Sequence, residues 1–121
     1  MNATEMSIAV ARAAADKIAT DVLILDVGDI IGITEAFVIA SGSNTRQVRA
    51  ICDEIELTLK IEADLAPLRI EGLKDASWVL MDYGLLVVHI FLVETREFYG
   101  LERLWADADR IEWEPTERAV S

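Results

Sequence analysis

Two strand-length runs, Trp78 to Tyr83 and Leu85 to Val93, meet at Gly84 and leave this chain little freedom in how it folds. So short a junction between β-rich segments predicts an antiparallel hairpin. Alternation along the first run puts Trp78, Leu80 and Asp82 on one face, with Val79, Met81 and Tyr83 on the other. The second run is apolar apart from His89. It is strand-length, too short to span a membrane as a helix.

The other elements surround this hairpin. Residues 4–20 predict a helix capped by Thr4 and closed by Asp21, with Met6, Val10, Ala13, Ala14, Lys17 and Ile18 at three-to-four spacing. Residues 22–27 read as a buried strand, Gly28, Asp29 and Gly32 as a loop, and residues 36–40 as a second buried strand. The turn Ser41-Gly42-Ser43-Asn44 leads into a helix, where Ser43 or Asn44 can cap and Gln47 suits a capping box. That helix carries an apolar stripe of Val48, Ile51, Cys52, Ile55 and Leu59, and it is expected to fade near Ala63, before Pro67. Residues 68–75 fit either a short strand or an extended connection. Residues 98–108 predict a helix whose Leu101, Leu104 and Trp105 pack inward. The pattern is α/β: a mixed sheet with helices packed on it. Residues 1–108 form one expected domain, and 109–121 an acidic, frayed tail.

Composition narrows the function. A hydrophobic fraction of 53% with 27% charged residues marks a globular chain. Twenty-two acids against eleven bases leave −11, a charge repelled by phosphate backbones. Independent binding to DNA or RNA is therefore disfavoured, and a basic protein is the natural partner. A single cysteine, Cys52, excludes an internal disulfide and a cysteine-built metal site, and its place on a helix stripe predicts a buried thiol. With no secretory signal in view, a cytoplasmic protein is expected.

Catalytic readings lack parts. Gly42-Ser43, between a strand and a helix, could admit a phosphate. Two-metal transferase chemistry would also need paired carboxylates on a neighbouring strand. Asp53, Glu54 and Glu56 lie within the helix, and the later strand offers Asp82 alone. His89 reads as a structural histidine. As a base it would need a serine brought by the fold, and Ser41, Ser43 and Ser77 remain open. No nucleotide-binding glycine motif is present. No cofactor, metal or catalytic residue is expected.

Six of the eight aromatic residues fall between Trp78 and Trp105. Large aromatics interspersed with Arg, Asp and Glu suit a protein-recognition surface, though a core could use them for packing. Trp78 with Asp82, and Arg96, Tyr99 and Glu102 farther on, are the better surface candidates.

These residues together resemble the ribosomal silencing factor family, RsfS, also called Iojap-like. The resemblance rests on Asp21-Val-Leu-Ile-Leu-Asp26, on Phe37-Val-Ile-Ala-Ser-Gly42-Ser43 with Arg46-Gln47-Val48, and on Gly72. It continues through Trp78-Val-Leu-Met-Asp82-Tyr83-Gly84, Val88-His89-Ile-Phe91 and Arg96-Glu-Phe98-Tyr99-Gly-Leu101-Glu102-Arg-Leu104-Trp105. Two departures stand out. Thr34-Glu35-Ala36 replaces Thr-Asp-aromatic, and Leu85 stands where an acid is common.

The resemblance implies a nucleotidyltransferase-like domain without catalytic carboxylates. It implies binding to the large ribosomal subunit through its fourteenth protein, on the intersubunit face, so that small-subunit joining is blocked and translation repressed. It also implies a homodimer when free. The contact surface carried over is Trp78, Asp82, Tyr83, Arg96, Tyr99 and Glu102, with Phe98 and Trp105 as supports. The alternatives are a large-subunit assembly adaptor using the same dock, or a divergent nucleotidyltransferase.

Overall fold

Asn2, not Thr4, opens the first helix, α1 (Ala3–Asp16), in a computed structural model that describes residues 1–115. Asn2 Oδ1 accepts from the Glu5 backbone N–H at 2.8 Å, and Glu5 Oε1 accepts from the Asn2 N–H at 3.1 Å. Two otherwise unmatched donors are thereby satisfied. The helix ends four residues before the expected residue 20. Ile18 turns to φ 63, and the N–H groups of Lys17, Ile18 and Ala19 bond back to Ala14 and Ala15. Ile18, expected on the buried stripe, is exposed.

The chain then forms β1 (Thr20–Asp26), a single turn of helix α2 (Gly28–Ile31) and β2 (Ala36–Gly42), every residue of which is buried. Helix α3 (Thr45–Ala63) buries the predicted stripe Val48, Ile51, Cys52, Ile55 and Leu59. Asn44 caps it by accepting from the Gln47 N–H at 2.8 Å. The Gln47 side chain does not close the expected box. Its Oε1 accepts from Ser43 N at 2.7 Å and Ser43 Oγ at 2.9 Å, while Nε2 donates to the carbonyls of Lys17 and Ile18. The start of α3 is thus tied to the end of α1.

Residues 69–71 resolve the ambiguous stretch as a short strand, β3 (Arg69–Glu71). At Gly72, φ is +82 and an added Cβ would collide with the Trp78 carbonyl oxygen, so the return to the next strand needs glycine there. The predicted hairpin follows as β4 (Trp78–Asp82) and β5 (Leu86–Leu92), antiparallel, with Trp78 opposite Phe91 and Leu80 opposite His89.

The predicted helix over 98–108 is overturned. Helix α4 (Val93–Tyr99) begins directly after β5, stops at Gly100 in the left-handed conformation, and is followed by the short α5 (Leu101–Leu104). Leu104, expected in the core, is exposed. Three-to-four spacing alone could not show that Gly100 breaks the run. The frayed tail is also overturned for residues 109–111, which form β6 (Asp109–Ile111) antiparallel to β1. This strand covers an edge that would otherwise expose unpaired backbone groups. Trp113 Nε1 donates to the Val22 carbonyl at 3.3 Å, and Arg12 Nε to the Glu114 carbonyl at 2.9 Å. The remainder of the expected tail, 116–121, lies outside the described residues.

The fold is the expected mixed α/β arrangement. The strand order is β3-β4-β5-β2-β1-β6, and only the β2–β5 pair is parallel. Strand alternation divides its side chains between two cores. On one face Ile24, Val38, Val79, Met81, Val88 and Ile90 pack with Val10 of α1 and with Ile51 and Ile55 of α3. Burying each such side chain stabilises the fold by about 1.5–3 kcal/mol. The opposite face carries Leu25, Phe37, Ile39, Phe91 and Leu101, with Trp78, Val87 and Trp105 partly buried beside them. Neither α1 nor α3 covers that second face. Among the described residues, no helix is long and apolar enough to cross a membrane.

Candidate functional site

Trp78 and Phe91 of the hairpin and Phe98 and Tyr99 of α4 meet on the second sheet face as one connected array. Trp78, at the start of β4, stacks on its cross-strand partner Phe91 with ring centroids 4.9 Å apart. Tyr99, at the end of α4, leans on Trp78 at 5.0 Å, and Phe98 meets Tyr99 edge-on at 5.1 Å. On the inner side, His89 meets Phe37 edge-on at 5.0 Å, and Phe37 meets Trp105 edge-on at 5.6 Å. The outer end is open: Phe98 is 80% exposed and Tyr99 55%. These two adjacent, packed aromatics present apolar surface to solvent at the outer end of the array. Sequence reasoning had Phe98 as a support; it is the most exposed aromatic of the array.

Arg96 corrects the sequence reading most sharply. Expected on the surface, it is 6% exposed. Its Nε donates to Glu102 Oε1 at 3.1 Å, and its Nη1 donates to the Asp21 carbonyl at 2.7 Å and to Ser41 Oγ at 2.8 Å. One guanidinium therefore ties α4 to α5, β1 and β2, and so fixes the platform on which Phe98 and Tyr99 stand. Its planar, multi-donor fork suits that task where a point-charge lysine would not. Glu102 is half-buried against it, with Oε2 buried and without a partner among the described residues.

Tyr83 is also internal. It lies in the core beneath α1 and α3, away from the aromatic array, with its hydroxyl buried and unpartnered among the described residues. Burial, reinforced by nearby Glu56 and Cys52, pushes its ionisation up. Asp82 stays partly accessible on the array's side of the sheet. It caps the hairpin turn by accepting from the Gly84 N–H at 2.8 Å, and its Oδ2 lies 3.4 Å from Arg69 Nε. Trp105 is half-buried against Phe37.

His89 is buried at 5% exposure, and burial lowers its pKa to about 4. The ring is thus neutral across the physiological range. Its Nδ1 accepts from Trp78 Nε1 at 3.1 Å. Of the serines left open by sequence, Ser41 accepts from Arg96 and Ser43 donates to Gln47. Gln47 Oε1 also takes the Ser43 backbone N–H, a donor that a phosphate at this turn would use. Cys52 is buried as expected, and burial, with Asp53 and Glu56 nearby, pushes its thiol up to about 12. No cluster of three or more His, Cys, Asp or Glu that could hold a metal occurs among the described residues. The arrangement offers an aromatic surface, and the buried His89 imidazole bonds to Trp78 rather than to Ser41 or Ser43.

Phe37, Phe91 and His89 were not foreseen as parts of this surface. The signal was present: alternation along β5 puts Val87, His89 and Phe91 on one face, across the hairpin from Trp78.

The family model described as "Ribosomal silencing factor during starvation" matches residues 1–121. The chain belongs to the ribosomal silencing factor family. It is 42% identical over 101 residues to "Ribosomal silencing factor RsfS" of Bacillus subtilis (strain 168), covering 81% of this chain and 82% of that protein. A mouse relative, "Mitochondrial assembly of ribosomal large subunit protein 1", is 37% identical over 90 residues, which is 72% of this chain and 39% of that longer protein. Among solved structures, a crystal structure of a Chromobacterium violaceum protein matches with a TM-score of 0.83 at 30% identity, covering 100% of this chain and 95% of that one. The Bacillus subtilis relative is named for silencing and the mouse relative for assembly of the large ribosomal subunit.

Proposed function

We propose that this protein represses translation by binding the large ribosomal subunit through its fourteenth protein and blocking, by bulk, the joining of the small subunit. The observation that carries the reading is the exposed Phe98–Tyr99 pair continuing into Trp78, on the sheet face that α1 and α3 leave open. Membership of a family named for ribosomal silencing supports a partner on the ribosome. The charge of −11 disfavours docking on ribosomal RNA and favours a basic ribosomal protein. The contact surface comprises Phe98, Tyr99 and Trp78, bordered by Asp82, Glu102 and Trp105. Arg96 and Tyr83 act from within, as framework. Blocking needs affinity and position only, so no catalytic step is involved. The site of action is the cytoplasm, and the free protein is a homodimer.

The test is sucrose-gradient sedimentation of purified ribosomal subunits, with and without the protein, at magnesium concentrations that permit joining. Co-migration with the large subunit and a smaller 70S peak are expected. A full 70S peak, with the protein left at the top of the gradient, would overturn the reading. A second role, in large-subunit assembly through the same surface, is favoured by the name of the mouse relative. It predicts accumulation of immature large-subunit particles in cells lacking the protein, whereas a pure joining block leaves those particles mature.

A further inference from the structure

We infer that His89 is a positioning residue for docking: by accepting the Trp78 indole N–H, it holds that ring in the orientation the partner meets. The inference rests on the proposed docking reading and names a residue in that site which contacts no partner itself.

A buried histidine inside an apolar strand needs a reason. Leucine or valine would fill the position without bringing polar atoms into a core. Here the cost is visible. With Nδ1 accepting from Trp78, the neutral ring carries its proton on Nε2. That nitrogen is buried and meets no partner among the described residues. What the ring supplies in return is one acceptor, aimed at Trp78 across the hairpin. In the β4–β5 register His89 lies opposite Leu80, and Phe91 lies opposite Trp78. His89 is therefore the diagonal neighbour of Trp78, within reach of a long side chain.

The two strand-borne rings divide the work. Phe91 gives Trp78 a flat surface 4.9 Å away, which fixes the plane of the indole. Stacking alone does not choose between the two faces of that ring, because χ2 of an aromatic side chain is broad and roughly two-fold. The bond to Nδ1 at 3.1 Å chooses one. The indole also meets Tyr99 at a tilt, with ring centroids 5.0 Å apart, and Tyr99 is itself in contact with Phe98, so the orientation of Trp78 is passed to the most exposed part of the surface. Preorganisation of this kind raises affinity by removing ordering that would otherwise occur on binding.

The experiment uses two variants of the full chain. His89→Asn keeps an acceptor, because Asn Oδ1 occupies nearly the place of His Nδ1. His89→Leu fills the site with carbon. If His89 merely packed, Leu would be the better replacement in both stability and binding. If it positions Trp78, the order for binding is reversed. Large-subunit affinity is expected to fall about fivefold or more in His89→Leu, the equivalent of one hydrogen bond, and to stay within about twofold in His89→Asn. The Trp78 indole N–H resonance, assigned by its loss in Trp78→Phe, is expected to exchange slowly in wild type and in His89→Asn. It is expected to exchange fast in His89→Leu. Wild-type affinity in His89→Leu, equal losses in both variants, or fast indole exchange in wild type would each overturn the inference. The indole measurement needs no ribosome, so it decides the positioning even if the protein fails to sediment with large subunits. That failure would overturn the docking reading instead.

Discussion

Arg96 and Glu102 pair across the bend at Gly100, with Nε 3.1 Å from Oε1, and the arginine is almost wholly enclosed. The same guanidinium reaches Ser41 on β2 and the carbonyl of Asp21 on β1. A residue from the helix that carries Phe98 and Tyr99 is thus bonded to the two neighbouring strands and to the helix that follows. Arg96→Met would leave the Glu102 carboxylate and two further acceptors without their donor. A loss of about 3 kcal/mol in urea unfolding is expected, because breaking a buried pair strands its partner. Glu102→Gln keeps an acceptor oxygen and is expected to cost only about 1 kcal/mol. Equal costs for the two variants would contradict this assignment.

Tyr83→Phe is expected to leave docking unchanged and to stabilise the protein by about 1 kcal/mol, since the hydroxyl is buried without a partner among the described residues. Thermal unfolding and large-subunit sedimentation of the same variant check both halves. A marked loss of binding would return Tyr83 to the contact surface.

Phe98→Ala makes the complementary case. The ring is 80% exposed, so its removal is expected to change stability by less than about 0.5 kcal/mol. Affinity for large subunits is expected to fall about tenfold, the usual consequence of deleting an aromatic anchor. Retention of full affinity would move the dock off this face.

Gly72→Ala is expected to destabilise by about 2–4 kcal/mol, combining a left-handed backbone with a collision against a carbonyl that cannot move aside. Chemical denaturation measures it directly. A cost below about 0.5 kcal/mol would mean that the β3–β4 connection is looser than its geometry implies.

The titration of His89 has a definite sign. Its folded pKa of about 4 lies below the ordinary 6.5, so between these values the unfolded chain binds a proton that the folded one refuses. Stability is complete above pH 6.5 and declines as pH falls toward 4, by about 3 kcal/mol in all. His89→Asn removes this dependence. Between about pH 7 and about pH 4.5, urea unfolding is expected to show wild type losing about 2 kcal/mol more than the variant. Parallel losses would place a charge-stabilising group beside the ring.

Much of this architecture was legible in the residues themselves. The hairpin at Gly84, the α3 stripe from Val48 to Leu59, a helix cap at Ser43 or Asn44 and the buried Cys52 all follow from local periodicity and capping chemistry. The motifs from Asp21 to Trp105 likewise carried the family resemblance. Legibility ended where a residue's role depends on contacts far along the chain. Arg96 and Tyr99 are three apart on one helix, yet one is enclosed and the other open, because Asp21 and Ser41 happen to lie beneath the first.

The sequence by itself determined the two periodicities, and with them β1, β2, the β4–β5 hairpin and α3, and which face of α3 is apolar. Tertiary structure decided which polar side chains are enclosed, that residues 109–111 complete the sheet, and that His89 meets Trp78. The physical reason is one of range. Hydrophobic periodicity and capping act within a few residues, whereas burial of Arg96 is set by groups 75 and 55 positions away. Only the closed sheet brings those groups to the same place.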